Sequence, residues 1–278
     1  MSAKPETTID TSASLPTFRE VQVQRARGGD VEDVTDFVAE ERPVGLLYQG
    51  VPHVVMLASP ADLEDLGVGF TLSEGIAADA SDIHSVSVVH KDDSVTVNLG
   101  ISSKSFSALL RQRRNLAGRT GCGLCGVENV ADAMRSPRHV GAGIRVTSDE
   151  LHAQLAALQS RQPVNARTGS VHAAAWALPG KGIQLVREDV GRHNALDKVI
   201  GALVRADEDC SEGYFIITSR ASFEMVQKTA MVGVSFVAAV SAPTALAIDV
   251  ANKTGVTLVG FARADRHVIY SHPERMQS

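Results

Sequence analysis

The sequence predicts an α/β fold built from two domains. The chain has 278 residues, and at about 150 residues per domain this length suits two domains with sizeable cores. The first half reads as hairpins with helices between them, and the second half alternates apolar strands with helices. Such alternation favours a layered α/β domain with a largely parallel sheet. We place the boundary between the domains near residue 140.

The elements are predicted from periodicity and from cap and turn residues. The first half is predicted to contain strands 44–48 and 51–57, a helix that begins with Ser59 as N-cap and Pro60 in its first turn and ends before Gly75, strands 85–89 and 95–99, and helices 105–114 and 128–134. The second half is predicted to contain helix 148–158, strands 171–178 and 183–187, helix 194–204, strand 214–218, helix 222–232, strand 234–240, helix 244–253, and strands 256–261 and 267–270.

Composition excludes several classes of protein. Lys and Arg number 27 against 32 Asp and Glu, so a net charge of −5 gives no general affinity for nucleic acid or for an anionic membrane. No apolar run approaches the length of a membrane helix, and residues 1–18 read as a disordered lead-in without the apolar core of a signal peptide. An odd, sparse set of 3 cysteines argues against a disulfide scaffold. These observations indicate a cytoplasmic protein.

The first candidate site is the segment GCGLCG at 121–126. Cys122 and Cys125 stand among glycines, and the stretch between Asp93 and Glu128 holds five cations and no acid: Lys104, Arg111, Arg113, Arg114 and Arg119. Neighbouring cations favour the reactive thiolate. A surface turn with two incidental thiols is the alternative. A closed zinc site lacks a second ligand pair, Cys210 reads as a bystander, and a thioredoxin-like pair should open a helix inside a βαβ unit.

Further candidates follow predicted strands. The segment 187–194 combines carboxylates, guanidiniums and an imidazole at a strand-to-helix turn, although Asn194 as an N-cap and a surface ion-pair network would also explain it. His172 opens a strand and fits a buried core histidine. Turns at 218–222 and 241–244 repeat the strand-to-helix geometry, so we expect these turns to line one sheet edge and to offer backbone N–H groups to phosphate. Arg263 and Arg266 follow the strand at 256–259, either as a polar hairpin turn or as an anion site.

Taken together, these segments resemble the formate dehydrogenase accessory sulfurtransferase (FdhD) family. The resemblance runs from about residue 40 to the C-terminus and rests on six ordered motifs: GCGLCG at 121–126, TGSVHAAA at 168–175, EDVGRHNALDK at 188–198, SRASFEMVQK at 219–228, SAPTALA at 241–247 and LVGFAR at 258–263. Two departures are small. Ser170 stands where the family usually has glycine, and Ser219-Arg220 stands where Ser-Gly-Arg is common.

The resemblance implies a fold. It implies a cytidine-deaminase-like three-layer α/β/α C-terminal domain at 141–278, a smaller N-terminal α/β domain at 19–117, a Gly-rich Cys loop and linker at 118–140, and a homodimer. The zinc chemistry of deaminases is absent from the motifs, because His172 is followed by two alanines and Cys122 is preceded by Gly121. No permanently bound metal is therefore expected.

The resemblance also implies a function, which is sulfur carriage. A cysteine desulfurase loads a persulfide on Cys122 with Cys125 assisting, and the sulfur passes to the molybdenum of the bis-molybdopterin guanine dinucleotide cofactor before that cofactor enters formate dehydrogenase. The cofactor would bind at Phe261, Ala262, Arg263, Ala264, Asp265 and Arg266. We expect Glu188, Asp189, His193 and Lys228 to order the pocket. A dithiol oxidoreductase and a cofactor chaperone that moves no sulfur remain as alternatives.

Overall fold

The computed structural model describes residues 15–91, 93–117 and 139–277. Its first half comprises β1 (Phe18–Arg27), β2 (Asp30–Ala39), β3 (Arg42–Tyr48), β4 (Val51–Ala58), α1 (Leu63–Ser73), β5 (Ile83–His90), β6 (Val95–Ile101) and α2 (Ser103–Ala117). Its second half comprises β7 (Val146–Thr147), α3 (Ser148–Gln159), α4 (Pro163–Thr168), β8 (His172–Leu178), β9 (Gly182–Asp189), α5 (Arg192–Arg205), β10 (Tyr214–Ile217), α6 (Phe223–Met231), β11 (Phe236–Ala239), α7 (Ala245–Thr254), β12 (Thr257–Gly260), β13 (Val268–Ser271) and β14 (Met276–Gln277).

The N-terminal half holds a four-stranded sheet in the order β4-β3-β6-β5. Both predicted hairpins are confirmed, because β3 pairs with β4 and β5 pairs with β6 in antiparallel register, while β3 and β6 run parallel. Alternate side chains of the strands are fully buried, among them Val44, Leu46, Val97 and Leu99, and they pack with apolar residues of α1 and α2. The sheet therefore buries one face beneath these two helices.

The predicted start of the first helix is wrong. The helix begins at Leu63, and Asp62, in the left-handed conformation, precedes it without a side-chain cap. Ser59 has long-range partners instead: its backbone N–H donates to Asp189 Oδ2 at 3.0 Å, and its hydroxyl accepts from the backbone N–H of Val190 at 3.1 Å. Because these partners lie about 130 residues away in sequence, the local capping pattern carries no sign of them.

The C-terminal half is organised around a six-stranded sheet in the order β13-β12-β11-β10-β8-β9. The prediction of a largely parallel sheet is wrong. Only the central pairings β10–β11 and β11–β12 are parallel, whereas β8–β10, β8–β9 and β12–β13 are antiparallel. The reason is that β8 and β9 form a hairpin across residues 179–181, and β13 returns from β12 through a tight turn, so neither connection contains a crossover helix.

Two apolar clusters cover this sheet, one on each face. Trp176, Phe215 and Ile217 pack with buried residues of α5, α6 and α7. The neighbouring side chains along the same strands point the other way, and Ala175, Tyr214 and Ile216 pack with Leu151, Leu155 and Leu158 of α3. The second half is therefore a three-layer arrangement with three helices on one face and α3 on the other.

The two halves pack through a very close approach of α1 and α5. A Cβ added at Gly69 would lie 1.8 Å from the backbone oxygen of Asp197, and one added at Gly201 would lie 1.9 Å from that of Asp65. Most residues of α1 are buried, because the helix lies between its own sheet and α5. Glycine is thus required at both positions for the helix backbones to touch.

Most predicted elements are confirmed within a few residues. The missed segments are the β1–β2 ribbon, helix α4 and the short paired strands β7 and β14. The predicted helix 128–134 lies outside the described residues. Of the predicted lead-in, residues 15–18 are described: Leu15 packs against the N-terminal core, and Thr17 accepts a backbone hydrogen bond from Glu40. Within the described ranges, no helix is long and apolar enough to cross a membrane.

Candidate functional site

The predicted meeting of polar turns at one edge of the six-stranded sheet is confirmed. Strands β9, β10, β11 and β12 all end at this edge, and the antiparallel strands β8 and β13 begin there. The edge therefore collects the start of β8 at His172 and the segments 189–193, 218–222, 240–244 and 261–267. We call it the carboxyl edge.

The turn after β12 is held firmly by backbone hydrogen bonds. The N–H groups of Phe261 and Ala262 donate to the oxygens of Ser241 and Ala239 at 3.1 and 3.0 Å, and the N–H of Arg263 donates to Arg266 at 2.8 Å. Phe261 has a φ of 49°, in the left-handed region where most side chains are strained. The turn is thus a fixed platform, and its shape is set by β11 and by the chain that follows it.

The side chains of this turn suit a planar, anionic ligand. The Phe261 ring is 46% exposed, Arg263, Ala264, Asp265 and Arg266 are exposed, and only the side chain of Ala262 is buried in the core. One nitrogen of the Arg263 guanidinium donates to the backbone oxygens of Val240 and Ala262. Arg263 is therefore oriented by the fold, whereas Arg266 extends into solvent. An aromatic face beside two guanidiniums can stack a base and bind phosphate.

Two neighbouring turns join the platform. Thr244 caps α7, accepting a hydrogen bond from the backbone N–H of Ala247 at 3.3 Å. The N–H of Thr244 donates to Ala221 at 3.0 Å, and the N–H of Ala221 donates to Ala242 at 3.3 Å. These bonds connect the turns after β10 and β11 across the gap between strands, so the carboxyl edge is continuous from 219 to 266.

A histidine that is partly exposed lies at the other side of the edge. His193 Nε2 lies 3.1 Å from Glu224 Oε2, which also accepts a hydrogen bond from the Ser222 hydroxyl at 3.0 Å. Burial and the nearby Arg192 guanidinium lower the pKa of His193, although Glu224 opposes this shift. Burial and Arg192 likewise lower the pKa of His172. Both imidazoles are consequently neutral at pH 7 and able to accept a proton.

A second pair of imidazoles, missed from the sequence, adjoins the turn at 261–266. His152 Nε2 on α3 lies 2.9 Å from His267 Nδ1, just after Arg266. Burial and His152 lower the pKa of His267. Because the two histidines are 115 residues apart in the sequence, no local sequence pattern could predict that they pair.

Several predicted pocket residues lie between the two halves and away from solvent. Lys198 and Asp189 form a fully buried ion pair at 2.6 Å, and Lys198 also donates to the backbone oxygen of Ser59 at 3.0 Å. Lys228 Nζ lies 3.0 Å from Asp197 Oδ2 and 2.7 Å from a Glu74 carboxylate oxygen. We call this group the interdomain clasp, and it consists of Ser59, Ser73, Glu74, Asp189, Asp197, Lys198 and Lys228.

The charges of the clasp are satisfied within the fold. Burial acts to lower the pKa of Lys228, but Asp197 and Glu74 outweigh it and the pKa is raised. Ser73 donates to Asp197 Oδ1 at 2.6 Å, which satisfies a further acceptor. Glu188, the neighbour of Asp189, accepts from the backbone N–H groups of Val164 and Asn165 at the start of α4. Of the four residues expected to order the pocket, His193 alone lies at the exposed edge.

Of the three cysteines, Cys210 lies among the residues that the structure describes. Cys122 and Cys125 lie outside the described residues, between the end of α2 and His139. Helix α2 carries four of the five cations noted above, Lys104, Arg111, Arg113 and Arg114. Cys210 is described and buried, and burial raises its pKa to about 12. A thiol with so high a pKa is inert at neutral pH, which supports the prediction that Cys210 is a bystander.

One sizeable cleft in the described part of the chain lies away from the carboxyl edge. It has a volume of about 650 Å³ and includes Asp62, Glu64, His90, Arg187 and Arg205 in its lining. Its arginines are already paired, because Arg187 and Arg205 both contact Asp65, at 2.9 and 2.5 Å. The cleft is therefore the outer margin of the contact between the halves. Exposed arginines lie instead at the carboxyl edge, at Arg220 and in the turn at 261–266.

Comparison with known proteins agrees with the motifs. The model of the FdhD/NarQ family matches residues 39–277. A sulfur carrier protein FdhD from Cupriavidus necator is 50% identical over 265 residues, covering 95% of this chain and 92% of its own. The protein of the same name from Xanthomonas axonopodis pv. citri is 50% identical over 254 residues, covering 91% of this chain and 90% of its own.

A solved structure shares the fold. A crystal structure described as a putative formate dehydrogenase accessory protein from Desulfotalea psychrophila superposes with a TM-score of 0.75 over 94% of this chain and 100% of its own, at 22% identity. At that identity the likeness concerns the fold alone. The family match and the two relatives that are half identical settle the membership: the chain belongs to the FdhD/NarQ family.

Proposed function

We propose that this protein is a cytoplasmic sulfur carrier for the maturation of formate dehydrogenase. A cysteine desulfurase loads a persulfide on Cys122, and the sulfur passes to the molybdenum of bis-molybdopterin guanine dinucleotide before the cofactor enters formate dehydrogenase. Two relatives named sulfur carrier proteins, each 50% identical to this chain, support the carrier role. The cofactor is the client of this reaction, bound transiently as a substrate.

The observation that carries the proposal is the turn at 261–266. It presents the Phe261 ring and two arginines on a backbone that is fixed by hydrogen bonds to β11 and to the turn after it. The guanine and pyrophosphate groups of the cofactor need an aromatic or apolar face and cations, and both are present here. The helix starts at Ser222 and Thr244 lie along the same edge and add backbone N–H groups.

The sulfur chemistry is assigned to the two paired cysteines. The Cys122 thiolate attacks the terminal sulfur of the desulfurase persulfide, the S–S bond of that persulfide breaks, and the desulfurase thiolate leaves. Cys125 then attacks the inner sulfur of the Cys122 persulfide, which releases hydrosulfide toward molybdenum and leaves a Cys122–Cys125 disulfide. A cellular thiol reductant restores both thiols. The five cations close to the cysteines in the sequence favour the thiolate forms in both steps.

The same proposal includes the fold of each half of the chain. The layers of the second half, with α5, α6 and α7 on one face of the sheet and α3 on the other, support a cytidine-deaminase-like α/β/α domain preceded by a smaller N-terminal α/β domain. The domain boundary near residue 140 and a homodimeric assembly are part of it.

Mass spectrometry after loading tests this proposal. The protein is incubated with a cysteine desulfurase and cysteine, alkylated without reduction and digested. We expect the mass of one extra sulfur atom on the peptide with Cys122, more of it in Cys125→Ala because resolution is blocked, and none in Cys122→Ala. Cys210→Ala is the matched control and should load like the unaltered protein. Extra sulfur confined to Cys125 or Cys210 would contradict the assignment.

A further inference from the structure

A cluster of basic side chains lies at the end of the carboxyl edge farthest from the turn at 261–266. Helix α5 begins there with Arg192 and His193, directly after β9, and His172 begins the neighbouring strand β8. His172 is paired across these strands with Asp189, so the start of β8 lies beside the end of β9. We call His172, Arg192 and His193 the Arg192 cluster.

The guanidinium of Arg192 carries a charge without a partner in the described part of the chain. The side chain is partly buried, and its Nε is buried and accepted by no group of the described residues. Buried donors in folded proteins have a partner in the great majority of cases, because an unmade hydrogen bond away from water is costly. The position beside Arg192 therefore lacks one acceptor.

Two carboxylates lie beside the cluster, but both are already engaged. Asp189 forms the fully buried ion pair with Lys198 at 2.6 Å. Glu224 Oε2 lies 3.1 Å from His193 Nε2 and also accepts from a serine hydroxyl at 3.0 Å. Neither carboxylate forms an ion pair with Arg192, so an anion bound at the cluster would be the acceptor that the guanidinium lacks.

The two imidazoles add hydrogen-bonding groups beside this guanidinium. Burial and the charge of Arg192 lower the pKa of both His172 and His193, so Arg192 acts on both rings. An ionised carboxylate only accepts, and Glu224 therefore fixes the proton of His193 on Nε2 and leaves Nδ1 as an acceptor. A cation beside imidazoles that accept or donate suits a compact oxyanion with oxo and hydroxo groups.

The start of α5 adds backbone donors at the same place. The helix has 14 residues, and its N-cap, Gly191, makes no side-chain hydrogen bond to it. The first N–H groups of a helix have no acceptor within the helix and carry a partial positive charge. Together with the unpaired guanidinium, they favour an anion over a neutral ligand.

The position of the cluster on the sheet restricts the ligand further. Strands β8 and β9 lie three and four places from β12 in the sheet, and the turn at 261–266 follows β12. At about 4.8 Å between neighbouring strands, the cluster and the turn are roughly 14–19 Å apart. A ligand that reaches both is elongated, with a base at one end and an oxyanion at the other. In the cofactor of the proposed function, pyrophosphate and pterin separate the guanine from the molybdenum.

We propose that the Arg192 cluster is a second binding site on the carboxyl edge and holds the oxo-molybdenum end of the cofactor, while the turn at 261–266 holds the guanine end. The identity of this ligand rests on the proposed function. Arg192 supplies the charge opposite the oxyanion, and His172 and His193 form hydrogen bonds with its oxo and hydroxo groups. The two sites together orient the cofactor along the edge of the sheet.

Binding of molybdate alone tests the cluster on the full-length protein, because molybdate is the simplest oxo-molybdenum anion. The ring C–H resonances of the histidines are followed by NMR at neutral pH and assigned with His172→Asn and His193→Gln. We expect molybdate to shift the resonances of His172 and His193. The resonance of His84, an exposed histidine of β5 in the N-terminal half, should stay in place. Unshifted resonances of His172 and His193 would overturn the proposal.

Substitution of the arginine gives the size of its contribution. Arg192→Gln should weaken molybdate binding by about tenfold or more, because the charged donor is lost. Arg145→Gln, at an exposed arginine just before β7, is the matched control and should bind like the unaltered protein. Arg192→Lys keeps the charge without the planar fork, so its affinity should lie between the two. Circular dichroism identifies the variants that fold, and equal affinity in the folded Arg192 and Arg145 variants would overturn the site.

Guanosine diphosphate distinguishes the metal end of the cofactor from its phosphates. Saturating guanosine diphosphate should leave the molybdate shifts of His172 and His193 in place, because the nucleotide occupies the turn at 261–266. Displacement of molybdate would show that the phosphates occupy the cluster and would overturn the assignment to the metal end. Loading of Cys122 by a desulfurase needs neither ligand, so failure of the carrier role and failure of this site are measured separately.

Discussion

The interdomain clasp and the turn at 261–266 both include charged residues from the family motifs, yet their environments are opposite. In the clasp, Lys198 and Asp189 are fully buried and each has several partners. At the turn, Arg266 is exposed and Arg263 uses one nitrogen to hold the backbone. The comparison teaches that a charged motif can maintain the scaffold or serve a ligand, and that burial distinguishes the two.

The largest expected effect comes from breaking the clasp. Asp189→Ala removes the partner of a fully buried ammonium, together with acceptors for Ser59, Gly191 and Asn194. We expect the free energy of unfolding to fall by about 3–5 kcal/mol, since an unpaired buried charge remains. Urea denaturation measures this. Asp265→Ala, at an exposed carboxylate, is the control and should change the free energy by less than about 0.5 kcal/mol. A similar loss in the free energy of unfolding for both variants would contradict the conclusion that buried charges hold the scaffold and exposed charges do not.

The close approach of α1 and α5 gives the next effect. Gly69→Ala places a Cβ against the backbone of Asp197, so the helices must separate. We expect a loss of about 1–3 kcal/mol in the free energy of unfolding, again measured by urea denaturation. Gly141→Ala is the matched control, because a Cβ there meets no atom within 4 Å. Unchanged stability in Gly69→Ala would show that the helices pack less closely than described.

At the exposed turn 261–266, we expect a substitution to weaken ligand binding without lowering the stability of the fold. Arg266→Ala removes a cation proposed to contact phosphate, and we expect guanosine diphosphate to bind about tenfold more weakly in titration calorimetry. The melting temperature should stay the same. Lys253→Ala, at an exposed cation near the other end of α7, is the control. Equal affinity for guanosine diphosphate in the Arg266 variant and the unaltered protein would show that Arg266 does not contact the phosphate.

The smallest effect is a dependence of stability on pH. Burial lowers the pKa of His172 below its usual 6.5, so the unfolded chain binds the proton more readily than the folded one. The free energy of unfolding should therefore decrease as pH falls through 6.5, and this loss should level off below the lowered pKa. In His172→Asn the decrease should be smaller. Urea denaturation from about pH 5 to about pH 7.5 measures both slopes, and identical slopes would show that His172 does not contribute.

Much of the fold could be predicted because local patterns determine it. The hairpin across Gln49-Gly50 and the cap at Thr244 need only neighbouring residues, and the structure confirms them. Ser222 precedes α6 as expected, but its side chain makes no capping hydrogen bond to the helix. The β1–β2 ribbon was missed although Gly28-Gly29 stands between two alternating segments, a pattern typical of a hairpin. Here the signal existed in the sequence and the low hydrophobicity of the segment obscured it.

Distant contacts could not be predicted. Ser59 looks like an N-cap but is held by Asp189 from the other half of the molecule. Lys198 and Lys228 look like surface cations, since lysine is rarely buried without partners, and those partners become visible only when α1 packs against α5 and α6. The carboxyl edge was predictable in outline, because strand ends gather by topology, whereas the pairing of His193 with Glu224 was not.

Sulfur carriage is tested most directly by complementation. Cells that lack this protein and make no active formate dehydrogenase receive the unaltered protein, Cys122→Ala or Cys210→Ala at matched expression, and formate dehydrogenase activity is measured in extracts. We predict no activity with Cys122→Ala and full activity with Cys210→Ala, because only the first removes the sulfur-carrying thiol. Full activity with Cys122→Ala would contradict sulfur carriage and would leave a chaperone that binds the cofactor and moves no sulfur.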